Sequence, residues 1–227
     1  MAWSNAPLTR GEVESLTNVW RARGLVPVLI AVASAFAAWA LLLPVVPTAV
    51  IDADQPASLA GLSTGVFMLA TVITQVFVPK ALKTVGYRWV IAVASLLLGI
   101  PALGYMIGME PALLLTVSAI RGVGFGALSV AEAAIVAELV PLRLLGSATG
   151  IFGVVVGLAQ MVALPSGLAL VDVIGYNAVY IIATAIGAVS LAACFAIPTI
   201  PTPEPDAETA QSVRVPMWHL ALVPALA

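Results

Sequence analysis

Two ionisable side chains, Arg121 and Glu132, lie inside the long apolar run 112–139. At about 100° per residue they fall within roughly 20° of each other on one helical face, about 16 Å apart along the axis. Ser118 and Ser129 share that face and complete a polar stripe. A guanidinium there can bind an anionic group or organise a proton site, and a carboxyl can carry a proton. The structural alternative is that each pairs with a residue of another helix. A charge facing lipid at mid-depth costs about 2.5–3.5 kcal/mol on the gentlest scale, so the stripe has to face a cavity or a packed neighbour. Thr71 and Gln75, with Thr64 and Met68, form a milder polar surface in the run 59–80. That surface suits a cavity wall, and it equally suits hydrogen bonds between packed helices.

Other reactive groups are scarce. Cys194 and His219 are the single cysteine and single histidine, so neither a disulfide framework nor a metal cluster is expected, and no cofactor. Gly61-Leu62-Ser63-Thr64-Gly65 spells G-x-S-x-G, but no strand precedes it and no histidine base stands in an apolar run. Gly122-Val123-Gly124 lies mid-run, where no phosphate is cradled. Neither an enzyme nor a nucleic-acid binder is expected.

The elements that position these residues follow from composition. Of 227 residues, 62% are hydrophobic and 9% charged, with mean hydropathy +1.12. A soluble domain carries roughly 25% charged residues. So much apolar surface needs the lipid bilayer as its solvent. Six apolar runs stand near 25–50, 59–80, 89–108, 112–139, 145–171 and 177–198, separated by Pro, Gly or charge. Backbone groups in lipid must be satisfied within their own segment, so the expectation is an all-α membrane protein with six transmembrane helices over 25–198. The runs lack the alternation of a β-barrel. Residues 1–24 form a polar N-terminal segment in which Val13, Leu16 and Trp20 share a helical face, expected to lie on the membrane surface. The first run is too long for a signal peptide's apolar region of about 7–15 residues. Residues 199–214 read as a Pro-rich, acidic linker, and 215–227 as the truncated start of a seventh apolar helix.

Basic residues set the orientation. With the N-terminus inside, Arg10, Arg21, Arg23, Lys80, Lys83, Arg88, Arg143 and Arg214 are all cytoplasmic, while the outer loops hold only Asp52, Asp54, Glu110 and Asp172. Glu138 sits at the inner end of its run with Lys83, Arg88 and Arg143, forming either a cluster that ties one gate state or a solvated rim.

The two halves of the chain are alike. Gly61-Leu62-Ser63-Thr64-Gly65-Val66-Phe67 is matched by Gly146-Ser147-Ala148-Thr149-Gly150-Ile151-Phe152, and Val85-Gly86-Tyr87-Arg88 by Ile174-Gly175-Tyr176-Asn177. Runs one to three then correspond to runs four to six. Three crossings invert direction, so this is a 3+3 inverted repeat, a plan recurrent among secondary transporters. G-x-x-x-G spacing occurs at Gly61/Gly65, Gly104/Gly108, Gly122/Gly126, Gly146/Gly150 and Gly153/Gly157. In the fifth run Gly146, Gly150, Gly153 and Gly157 make one strip that calls for a neighbouring helix.

These features resemble the N-terminal half of a major facilitator superfamily transporter over about residues 20–200. The resemblance rests on six runs with both ends inside, the basic loop after the second run, the Arg/Gly-rich fourth run and the Gly-rich fifth. The family's loop motif, G-x-x-x-D-R-x-G-R-[RK] in outline, is met by Gly86 and Arg88, while Pro79 replaces its first glycine and Lys83 its acid. Its fourth-helix pattern, R-x-x-x-G-x-G, aligns on Gly124 and Gly126 with Arg121 one residue late. Gly153, Gly157 and Pro165 match its fifth-helix pattern, with Leu164 in place of a glycine. The resemblance implies secondary active transport of a small organic solute by alternating access, with proton-coupled efflux as the expected mode. Two six-helix halves would surround a central cavity, of which this chain supplies one. A half-size transporter working as a parallel homodimer, and a non-transporting scaffold or remnant, are the alternatives. The low lysine content suggests a bacterial plasma membrane.

Overall fold

A peptide group surrounded by hydrocarbon must find its hydrogen bond within its own helix, and the chain answers with helices throughout. The computed structural model describes residues 8–198, and no strand occurs among them. The expected linker and truncated apolar segment, with Arg214 and His219, lie outside the described residues.

The helices are α1 (Arg10–Glu14), α2 (Leu25–Asp52), α3 (Ala57–Val85), α4 (Tyr87–Gly99), α5 (Pro111–Glu138) and α6 (Leu145–Phe195). Among the described residues five segments are long and apolar enough to cross a membrane, that of α4 being counted through Met106 and the last running Leu142–Phe195. The third apolar run, expected as one helix over 89–108, instead leaves α4 and continues as 3-10 winding over Ile100–Met106. Pro101 lacks an N–H, so the i→i−4 ladder cannot pass through it unchanged.

A straight α6 would be about 77 Å long at 1.5 Å per residue, more than twice the hydrocarbon thickness. It is broken at Gly175, whose φ of 79° and ψ of 166° are closed to residues with a Cβ. Gly86, between α3 and α4, has φ 87° and ψ 159°. The two glycines matched in the sequence thus adopt the same turn. The break lets the arms of α6 fold back. The Tyr176 hydroxyl donates to Asp52 Oδ2 at one end of the bundle. At the other end Arg88 Nη2 donates to the Phe195 carbonyl at 3.1 Å, and Pro198 and Leu139 crowd Gly24.

The N-terminal segment departs from a single surface helix. Thr9 and Glu12 form a capping box on the short α1, and a 3-10 turn follows at Val19–Arg21. Val19 is buried there, while Trp20 is exposed rather than sharing a covered face with Val13 and Leu16. Hydrogen bonds from Thr9 hold the Glu12 carboxyl below its usual range, and Glu12 also pairs with Arg23 at 3.2 Å.

α5 lies against both α3 and α4, and α2 lies along α6. Two apolar clusters fill the interior. One, at the Arg88 end, includes Leu25, Val28, Ile135 and Ile197. The other, at the Asp52 end, includes Val45, Val50, Leu114 and Val179. Between them Trp39 stacks on Phe125 with centroids 4.6 Å apart, and Phe36 meets Phe125 edge-on at 5.4 Å.

Glycines set the closest approaches. A Cβ on Gly124 would lie 2.5 Å from the Leu98 nitrogen, and one on Gly126 2.5 Å from the Thr71 carbonyl. Gly122 and Gly167 are equally tight against the Phe67 and Leu41 carbonyls. Of the five spaced pairs, Gly122/Gly126 alone packs at both glycines. Gly104 meets Val117, whereas Gly61, Gly65, Gly108, Gly146, Gly150, Gly153 and Gly157 face open space. Gly124→Ala is therefore expected to lower stability by about 1–3 kcal/mol through overpacking. Gly153→Ala should stay within about 0.5 kcal/mol. Thermal unfolding of the purified proteins in detergent measures both, and equal melting of the two variants would contradict the packing described.

Candidate functional site

α5 projects Arg121 into the interior at 4% exposure. Its Nε donates to the Leu98 carbonyl at 3.1 Å. That carbonyl is open to an outside donor for a local reason: 3-10 winding offers it to residue 101, and Pro101 has no N–H to give. The guanidinium carbon lies 5.6 Å from the Tyr105 ring centroid and 6.0 Å from that of Phe67, both within cation–π range. The Tyr105 hydroxyl shares a 3.0 Å hydrogen bond with Ser118.

These groups border a cavity of about 30 Å³. α2 contributes Trp39, Leu42, Leu43, Val46 and Pro47, and α3 contributes Ser63, Thr64 and Phe67. Tyr105, Ser118 and Arg121 close it, and no Asp or Glu is in the wall. Trp39 Nε1 is buried with no hydrogen-bond partner. Sequence reasoning missed Trp39 and Tyr105, since an aromatic residue in an apolar run carries no sign of what its polar tip will face.

The polar stripe divides. Ser118 and Arg121 reach the cavity; Ser129 and Glu132 do not. Gln75 Nε2 donates to Ser129 Oγ at 3.1 Å, and Thr71 Oγ1 lies 2.9 Å from the Phe67 carbonyl and 3.1 Å from that of Gly122. Thr71, Gln75 and Ser129 therefore bind α3 to α5, and Met68 on the same stretch is 36% exposed. Glu132 has no exposed surface, and both carboxyl oxygens lack a hydrogen-bond partner. Its neighbours in sequence on that face, Leu128, Ala131 and Ile135, are buried in the apolar cluster at the Arg88 end.

A buried cation beside a cavity and a buried, unpartnered acid in one apolar helix are costly features for a protein that only needs to fold. Comparison with known proteins places the whole chain. The profile of the Major Facilitator Superfamily matches residues 28–226. The chain belongs to that superfamily. No curated protein matches it. As a Major Facilitator Superfamily protein it is a multi-pass membrane protein of a family that carries solutes across membranes, and not of an enzyme family.

Among the described residues, those expected at the inner rim form no ion pair with one another. Arg88 binds the Phe195 carbonyl and stacks over the Phe195 ring at 5.3 Å. Arg143 donates to the carbonyls of Glu14 and Leu16. Among the described residues the ion pair is Arg23–Glu12, so Lys83 and Glu138 are not brought into one with Arg88 or Arg143. Gly86 serves as the turn between α3 and α4. Cys194 is buried, its thiol donating to the Arg88 carbonyl at 3.0 Å, out of reach of a cross-linker.

Because its oxygens gain nothing from the interior, Glu132 should be a stability liability. Glu132→Leu is expected to raise stability by about 1–3 kcal/mol, the desolvation penalty of an unsatisfied buried polar group. A fall in the unfolding temperature of that variant would show that the carboxyl has a partner.

Proposed function

We propose that this chain is one half of a secondary active transporter that moves a small organic solute by alternating access, in the direction of efflux and coupled to protons. The observation that carries the reading is Glu132. A carboxyl wholly buried in an apolar bundle, with neither oxygen bonded, is fitted to take up and release a proton and poorly fitted to hold helices together. Arg121, three turns away on the same helix, is the polar determinant of the solute path, which is lined from α2, α3, α5 and the 3-10 segment at Tyr105.

The membrane domain in this reading is 25–198, with the two arms of α6 as the fifth and sixth crossings of a 3+3 inverted repeat. Support comes from the common turn at Gly86 and Gly175 and from the matched glycines of α3 and α6. Both ends are cytoplasmic, because that orientation gathers the loop arginines and lysines on one side, and the membrane is a bacterial plasma membrane. Arg88, Arg143, Gly86, Lys83 and Glu138 stand at the cytoplasmic gate.

Gly146, Gly150, Gly153 and Gly157, with Gly61 and Gly65, present surfaces on which helices can approach closely, yet none of the described residues covers them. A second six-helix unit, or a second copy of the chain in parallel, is the natural cover. Six crossings give two copies the same orientation, so a two-fold axis along the membrane normal is allowed. Cysteines at Gly150 and Gly157 test this in native membranes: disulfide-linked dimers favour the second copy, and their absence favours a different six-helix partner.

The transport reading is tested in inverted native membrane vesicles, where whichever unit covers these glycines is present, with a pH dye enclosed and gradients of small organic solutes applied. The wild-type protein is expected to move protons with its solute. Glu132→Gln should lose the proton flux while retaining solute exchange, and Arg121→Ala should abolish coupled transport with insertion intact. Full coupled activity in Arg121→Ala would sink the reading.

A further inference from the structure

We propose that the Arg121 cavity is an anion-binding subsite, which receives the negatively charged head of an organic solute through the Arg121 guanidinium and the Trp39 indole N–H. The identification of that anion as a solute rests on the transport reading above; the binding site itself does not.

The wall is rich in donors and poor in acceptors. Arg121 donates from Nε alone, to the Leu98 carbonyl, and no carboxylate lies within ion-pair distance of it among the described residues. The terminal amines of a guanidinium form a planar fork suited to a carboxylate. Trp39 Nε1 can only donate, and it is buried without an acceptor. Stacking on Phe125 at 4.6 Å fixes the indole. Of the wall hydroxyls, Ser63 donates to the Ala60 carbonyl at 2.8 Å and Ser118 pairs with Tyr105, while that of Thr64 can add a donor.

An unsatisfied buried N–H and an uncompensated buried cation each carry a desolvation penalty, and one acceptor-only group relieves both. A cation would be repelled by Arg121, and a neutral amide would leave its charge uncompensated. A volume of about 30 Å³ admits a small head and not a whole organic molecule. An organic carboxylate and a halide share this chemistry.

The test is binding to the purified full chain in detergent, by calorimetry in a salt-free zwitterionic buffer, with sodium benzoate, its neutral isostere benzamide, and sodium chloride. Benzoate binding at least about tenfold tighter than benzamide is expected, with a loss of at least about tenfold in Arg121→Gln and several-fold in Trp39→Phe. Saturable chloride binding that is lost in Arg121→Gln, with no benzoate preference, assigns the site to an inorganic anion and overturns the solute-head assignment. Equal affinity for benzoate and benzamide, or anion binding unchanged in both variants, overturns the subsite. If Arg121→Gln fails to fold, Arg121→Lys keeps the charge and loses the fork, and should bind benzoate several-fold more weakly; wild-type affinity there would likewise overturn it. Anion binding without any transport in the native membrane vesicles would leave the site standing and remove the transport reading, and solute transport without anion binding would do the reverse.

Discussion

The near-contact of α5 with the backbones of α3 and α4 is the constraint on which the rest depends. Gly122 and Gly126 place α5 on the carbonyls of Phe67 and Thr71, and Gly124 places it on the α4 backbone at Leu98. Lipid tails are as apolar as the helices, so no hydrophobic force drives the bundle together, and dispersion and interhelical hydrogen bonds must serve instead. Both fall off steeply with distance. With a side chain at any of the three glycines, the reach from Thr71 to the Gly122 carbonyl and from Arg121 to the Leu98 carbonyl would be lost.

The same closeness explains how a guanidinium is tolerated. Pro101 leaves a carbonyl needing a donor, Gly124 brings α5 near enough, and Tyr105 and Phe67 offer their faces to the remaining charge. Each of these is a partial compensation. None is a carboxylate, and the result is a cation that is held in place without being neutralised. A bundle built only for stability would put leucine here.

Much of this was legible in the sequence because lipid permits so few solutions. The apolar runs, the breaks between them and the costly residues Arg121 and Glu132 follow from composition and spacing. The turn at Gly175 was legible through its likeness to Gly86. What the sequence hid is which neighbour each face meets. G-x-x-x-G spacing says that a face is small, and not that it is covered: Gly122/Gly126 is packed and Gly153/Gly157 is bare. Gly124 and Gly167, among the tightest positions, have no such partner to announce them. Thr71, Gln75 and Ser129 have the polarity of a cavity wall and are spent between helices, since the difference lies in the position of α3 relative to α5. Arg88 and Arg143 donate to backbone carbonyls at Phe195 and near the N-terminal turn rather than pairing with Glu138, which no spacing in the sequence announces.

The separation of Arg121 from Glu132 is itself informative. They share a face of α5, yet one borders a cavity beside the apolar cluster of the Asp52 end and the other is sealed in the cluster of the Arg88 end. A layer of aromatics, Phe36, Trp39 and Phe125, stands between. Were the two charges present to satisfy each other, helical spacing of three or four residues would have done so cheaply. Eleven residues and an aromatic layer prevent it. Each group is thereby left with unused capacity, donors on one side and a carboxyl on the other. A motion that opened the bundle alternately at its two ends would expose first one and then the other, which is the coupling that an alternating-access device needs.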